Sequence, residues 1–349
     1  MSRIITLGEI MGRLATPGKQ RFRQAAPGTL QITFAGAEAS AAVSIAHLGG
    51  RSAFVSALPQ HEIADACVAD LRSFGVQTQH ILRTEQGRLG LYFLESGANQ
   101  RPGRVIYDRD GSAMAMTPPD AYDWDAIFAD ASWLLVSGIT PAISRNAAEV
   151  TRVALEEASR RNVQTACDMN YRAKLWRWEP ALSPRELAAR TMRQLLSQID
   201  LLICGRDDAE QTLGIDAGAS WEALPRSIVA RYPRIRQVAM TLREGVSADH
   251  NRFGGLLYDK AADRVFYAPE EGQLYSIAQI VDRLGAGDAF TAGLLFALET
   301  PELCEPAIAV AFAAAAGCLA HSVEGDFNWN TREEIEALMQ GDASGRVKR

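Results

Sequence analysis

The stretch that most constrains this chain is Val281-Asp282-Arg283-Leu284-Gly285-Ala286-Gly287-Asp288-Ala289-Phe290. It reads as a strand end, a tight turn and the start of a helix. Gly285 and Gly287 carry no Cβ, so the backbone there can close around a small anion. The Ala-rich apolar run 289–298 continues as a helix. Unpaired amides at its start, with the positive end of its dipole, make a site for phosphate. Asp288 sits inside that turn, where a bare carboxylate repels a phosphate. The conflict suggests a base waiting for a substrate hydroxyl, and an aspartate at a helix start is expected to have a low pKa. Two other readings stand beside it. One is an ordinary glycine-rich turn with Asp288 as a first-turn helix residue. The other is a dinucleotide fingerprint, against which Phe290 counts, because it stands where the third glycine belongs.

The rest of the chain has the makings of a large α/β body. At 349 residues and 47% hydrophobic, it can bury a substantial core as one domain with an appendage or as two small domains. A net charge of −6 without a long basic stripe argues against nucleic acid as a partner. Cys67, Cys167, Cys204, Cys304 and Cys318 are widely spaced with no Cys-x-x-Cys, which points to reduced thiols in a cytoplasmic protein. Met1 to Thr6 enters a strand directly, without a signal-peptide pattern. The most apolar run, 307–320, is too short and too Ala-rich for a membrane span and reads as a buried helix.

Arg3 to Met11 reads as a central strand buried on both faces. Residues 13–33 lose helical periodicity and carry Pro17, Gly18, Pro27 and Gly28, so they read as irregular or hairpin structure projecting from the sheet. Small residues from Phe34 to Ser40 feed a helix that stops at Gly49-Gly50. Strands at 52–58, 133–138, 163–169, 201–204 and 237–242 alternate with helices such as 61–74 and 144–161. That alternation predicts a mostly parallel sheet covered on both faces, with active groups at the carboxyl ends of its strands. Two strands, 88–95 and 104–109, interrupt it as a hairpin, and with 13–33 they predict a small sheet over a cleft. The segment Asp168-Met169-Asn170-Tyr171-Arg172, at one strand end, reads from its residues alone as a helix cap followed by a solvated arginine. His250 is a loop residue, with no partner at metal-ligand spacing.

With its flanks, the decapeptide resembles the C-terminal signature of the PfkB (ribokinase-like) sugar kinases, Asp-x-x-Gly-Ala-Gly-Asp-x-Phe. The resemblance runs from Ile4 to about Leu338. It implies a three-layer α/β/α fold with a β-sheet lid, the core being 1–12, 34–86 and 112–349 and the lid 13–33 and 87–111. It makes Asp288 the catalytic base and the Gly285-Ala286-Gly287 amides the anion hole. Phe34 to Ser40 resembles the N-terminal signature, which sets Gly36 against the sugar, although Ala35 and Ser40 replace a customary glycine and asparagine. Tyr107-x-Arg109-x-Gly111-Ser112-Ala113 and Asp168-x-Asn170-x-Arg172-x-x-Leu175-Trp176 resemble segments of the 2-keto-3-deoxygluconate (KDG) kinases.

From these segments the resemblance implies that Tyr107, Arg109 and Arg172 contact a sugar acid, with Asn170 and the lid residue Tyr92 beside them. The two guanidinium groups would clamp its carboxylate, which a neutral hexose does not call for. Packing within the lid is the other reading of Tyr92 and Tyr107. ATP and Mg²⁺ are implied as cofactors, and a monovalent cation is left open, as is a homo-oligomer formed through the lid. Thr241, ending a strand, and Arg243 face the nucleotide with Gly285 and Gly287, and Asn328 borders adenine or ribose or else caps a loop. Asp208 stands near the position of an Asn-x-x-Glu motif and would reach the metal through water, an acidic first helical turn being the alternative. The chain is thus expected to be an ATP-dependent kinase for KDG or a close 2-keto-3-deoxy acid. A neutral-sugar kinase and a non-catalytic sugar or nucleotide sensor are the competing readings. The basic tail 346–349 is expected to be disordered.

Overall fold

The apolar, β-branched runs become strands in the computed structural model, which describes residues 2–216, 218 and 220–342. In chain order they are β1 (Arg3–Leu7), β2 (Met11–Ala15), β3 (Gln31–Ala35), β4 (Arg51–Pro59), β5 (Ile81–Thr84), β6 (Gly90–Glu95) and β7 (Arg104–Asp108). Then follow β8 (Ala131–Ser137), β9 (Gln164–Asp168), β10 (Leu201–Ile203), β11 (Gln237–Gly245), β12 (Asn251–Asp259), β13 (Arg264–Ala268) and β14 (Tyr275–Ile277). Ten of them form one sheet in the order β13-β12-β11-β10-β9-β8-β1-β4-β5, with β14 on β12. It is parallel from β5 to β11 and antiparallel beyond.

Successive strand residues serve opposite faces, as the pleat requires. Ile4 and Leu135 meet helices Ala37–His47, Ala286–Leu298 and Pro306–Ala320, whereas Ile5 and Leu134 meet Arg145–Arg160, Pro184–Leu196 and Ala223–Arg231. The result is the three-layer α/β/α arrangement. Local signals start these helices: Ser144 accepts from the Ala147 amide, and Ser183 with Glu186 forms a reciprocal cap. The apolar run 307–320 lies in a buried helix, and no helix among the described residues is long and apolar enough to cross a membrane.

The other four strands form a separate sheet, β3-β2-β6-β7, over the carboxyl ends of the main one. The expected Arg3–Met11 strand is broken: Gly8 to Ile10 leaves the sheet and Met11 begins β2 in the lid. Close packing at Gly8, where a Cβ would run into the Glu38 carboxyl, accompanies the break. β2 and β3 therefore reach two residues past each end of 13–33. Register sets the two lid faces. Thr33, Arg13, Tyr92 and Tyr107 stand in one row across the strands, and Ile32, Leu14, Phe93 and Ile106 in the next. Residues 346–349 lie outside the described residues.

Candidate active site

Between lid and core lies a cavity of about 900 Å³. At its floor Leu284 gives way to Gly285, which adopts φ +81° and starts the helix Ala286–Leu298. A side chain at Gly285 would also collide with the Asp326 carbonyl, so glycine is required there twice over. Gly287 is less confined, since an added Cβ would meet only the flexible Arg243 guanidinium, at 3.2 Å. Gly285, Gly287 and Asp288 all line the cavity, and Ala286 is buried behind them. The turn thus presents a helix start to the space where a phosphate would sit.

Asp288 does not have the low pKa that its helix position predicts. Burial, reinforced by the Asp168, Asp326 and Glu38 carboxylates, holds it well above the ordinary carboxylate range, with Arg172 pulling the other way. The helix dipole is outweighed because three acids converge from other elements. Asp168, at the end of β9, is raised to about 7 by burial and by Asp208, against Arg172 and a 3.3 Å hydrogen bond from the Thr291 hydroxyl. Glu38 is also raised by burial, although its Oε1 accepts from Ser137 at 2.6 Å and Thr140 at 2.8 Å. Sequence reasoning gave these two acids no site role. Asp168 stood inside a quoted motif and at a strand end, which was the available signal.

The substrate-side residues fall into two groups. Gly36 lines the cavity, and a Cβ there would strike the Glu9 carbonyl. Tyr92 and Tyr107 come from the lid, with ring centroids 6.5 Å apart. Asn170 and Arg172 come from the turn after β9, where Asn170 takes φ +36° and no helix begins, so the helix-cap alternative is set aside. Arg109 and Arg172 line the same cavity but are not equivalent. Arg109 is buried in an ion pair with Glu9, whereas Arg172 is exposed and, among the described residues, has no carboxylate within ion-pair distance. The two arginines expected to form a clamp thus meet in one cavity, but Arg109 already pairs with an acid of the chain, whereas Arg172 has no such pair among the described residues.

On the nucleotide side, Thr241, Arg243 and Arg283 line the cavity. Thr241 is in mid-strand instead of at a strand end, because β12 pairs with β11 all the way to Gly245. Arg283 was read only as part of the glycine motif, yet it brings a second guanidinium to the turn. Asn328 does not line the cavity: it is buried, and its Oδ1 accepts from the Asn330 side chain at 2.7 Å and backbone at 3.1 Å. It caps a loop. Asp208 lines the cavity with its carboxylate held by the Gly205 and Tyr171 amides at 2.9 and 3.0 Å. His250 joins no metal cluster, and no group of three or more His, Cys, Asp or Glu that could hold a metal occurs among the described residues.

An anion-binding turn next to a recessed carboxylate suits transfer of a phosphoryl group to a hydroxyl, and so defines a small-molecule kinase. The chain belongs to the pfkB family carbohydrate kinases, matching that family over residues 1–246. It is 32% identical to the 2-dehydro-3-deoxygalactonokinase of Haloferax volcanii over 98% of each chain. The crystal structure of 2-dehydro-3-deoxygluconokinase from Thermotoga maritima superposes with a TM-score of 0.89 at 35% identity, covering 98% of this chain and 100% of that one. A PfkB family carbohydrate kinase from Listeria grayi gives 0.88 at 32% identity, covering 97% and 99%. Membership implies ATP as phosphoryl donor, generally with Mg²⁺. The cavity fits both. Arg243 and Arg283 flank the turn, and raised carboxylates at Asp168 and Asp208 favour a hard cation, which needs only one or two protein oxygens when phosphates supply others.

Proposed function

We propose that the protein phosphorylates a terminal hydroxyl of 2-keto-3-deoxygluconate or a close 2-keto-3-deoxy sugar acid. The observation that carries this is Arg172, an exposed guanidinium in the wall of the Asp288 cavity that, among the described residues, has no carboxylate within ion-pair distance. A planar guanidinium binds a carboxylate through two charge-assisted hydrogen bonds. Bound ATP with Mg²⁺ supplies the phosphoryl group and neutralises its charge. Asp288 accepts the hydroxyl proton as the oxygen bonds to phosphorus. The Gly285–Gly287 backbone stabilises the transferring group, with Arg243 and Arg283 beside it. Tyr92 and Tyr107 roof the sugar and exclude water, Gly36 and Asn170 border it, and Asp208 would help hold Mg²⁺ through water.

The capture of Arg109 by Glu9 favours a second reading, a neutral-sugar kinase, because it leaves one arginine where two were expected. Steady-state kinetics on 2-keto-3-deoxygluconate, 2-keto-3-deoxygalactonate and fructose decide between them. A preference for either acid supports the proposal, and a preference for fructose replaces it. Activity in potassium-free buffer tests whether a monovalent cation is also used.

We infer too that the outward lid row, where Ile32 and Ile106 are 54% and 53% exposed, is covered by the lid of a second copy. Ile32→Glu with Ile106→Glu should then lower the sedimenting mass, and an unchanged mass rejects this. The buried, unpaired thiols of Cys67, Cys167 and Cys204 suit a reducing cytoplasm.

A further inference from the structure

Arg13 is buried on the cavity-facing row of the lid, and its two terminal nitrogens go to two different acids of the core. Nη2 meets Asp282 and Nη1 meets Asp326. Tyr92, its register partner on β6, donates from its hydroxyl to the same Asp326 carboxylate at 2.9 Å. Both acids shape the phosphate turn directly. Asp282 Oδ1 accepts from the Leu284 amide at 3.1 Å, which folds the chain just before Gly285. The Asp326 carbonyl packs against Gly285 on the other side.

We infer that Arg13 is a positioning residue for the anion-binding turn, and that through it the lid and the phosphate site hold one geometry together. The chemistry requires such a group. Asp282 and Asp326 lie beside a turn that must receive a phosphoryl group, and the field of Asp326 reaches Asp288. Unneutralised, the two carboxylates would oppose the negative charge that the turn binds. A single guanidinium neutralises both and fixes the distance between them, since its fork is rigid. A lysine keeps the charge but has a single point to offer.

The test pairs kinetics with a readout on the ligand-free protein. Arg13→Met and Arg13→Lys are compared with wild type by thermal melting, by kcat and KM with Mg·ATP and 2-keto-3-deoxygluconate, and by amide hydrogen exchange. In folded Arg13→Met, kcat should fall by roughly tenfold or more, by a larger factor than KM rises. Exchange at Leu284 to Gly287 should quicken together with that of β2 and β6. Arg13→Lys should show the same changes at smaller size, and it carries the test if Arg13→Met does not fold. A folded variant with wild-type exchange at 284–287, or with kcat within about twofold of wild type, overturns the inference. The inference rests on the kinase reading only for its kinetic arm. If the sugar acid is the wrong substrate, wild type itself is inactive on it, while the exchange result still stands or falls alone.

Discussion

The phosphate turn and the sugar-facing rim sit in one cavity but are built in opposite ways. The turn is made of backbone: Gly285 to Asp288 are consecutive, and their geometry follows from a left-handed glycine and a helix start. The rim is mostly side chains, from β6, β7, the residue after β7 and the turn after β9, set beside the Gly36 backbone. Each rim side chain has to be left free by its neighbours before it can meet a ligand. Arg172 has no ion-pair partner among the described residues and Arg109 has Glu9, although sequence motifs offered both as contacts. A backbone site is written in one local stretch, even where Arg13 and Asp326 brace it from afar, whereas a side-chain site is specified by what else the fold brings near it.

The contrast can be broken or sharpened by experiment. The largest effect belongs to the turn. Asp288→Asn should reduce kcat by roughly 10²–10⁴-fold with substrate affinity nearly intact. Turnover like wild type would remove Asp288 from the chemistry. Within the turn, Gly285→Ala should damage activity far more than Gly287→Ala. The first meets both a positive φ and the Asp326 carbonyl, the second only a mobile arginine tip. Equal activities would show that the turn tolerates a Cβ anywhere.

On the rim, the two arginines should fail in different ways. Arg109→Met strands Glu9, whose side chain is 2% exposed, and should destabilise the fold by about 3–5 kcal/mol in denaturant unfolding. Arg172→Ala should leave stability alone and weaken the sugar acid by roughly tenfold or more, with little effect on any neutral-sugar activity. Stability loss in Arg172→Ala, or a selective loss of acid affinity in stable Arg109→Met, would reverse their assignments. The smallest effect is a pH dependence. Asp168 has a folded pKa raised from 3.8 to about 7, so the folded chain binds its proton longer than the unfolded chain does. Stability is therefore lost as pH rises from about 4 to about 7, and the deficit is complete above that. Asp168→Asn should raise the melting temperature of the ligand-free protein at about pH 8, with the gain vanishing near pH 4. A gain independent of pH would mean that the charge of Asp168 is not what strains the site.

How much of this could be read from the sequence follows the same division. The alternating strands and helices, the lid hairpin and the decapeptide around Asp288 were legible because each is a contiguous pattern. The break in the first strand was not, since Gly8 packs on Glu38 and Glu9 pairs with an arginine a hundred residues away. Nor was Arg13, whose partner Asp326 lies 313 positions along the chain. The pKa of Asp288 was misjudged for the same reason. Its helix dipole is local, but Asp168, Asp326 and Glu38 arrive from three other elements. Asn328 could be read equally as a nucleotide contact or a loop cap, and only the fold reveals that its oxygen is spent on Asn330.

The lid is fastened unequally, and this gives it the mechanics of a door. Its hinge side carries the buried pairs Arg13–Asp282 and Glu9–Arg109. At its free edge the hairpin tip and the segment after β2 are latched to the loop after β11, by an Ala248 amide to Asn99 carbonyl bond of 2.7 Å and by Lys19–Asp249 at 2.9 Å. A space of about 680 Å³ lies beneath that edge. The Lys19 and Asp249 side chains are 46% and 31% exposed, so salt screens the ionic half of the latch but not the hinge. Traffic of sugar and product should therefore pass under the tip. Where release limits turnover, added salt should quicken the enzyme without disturbing the seat of the phosphate.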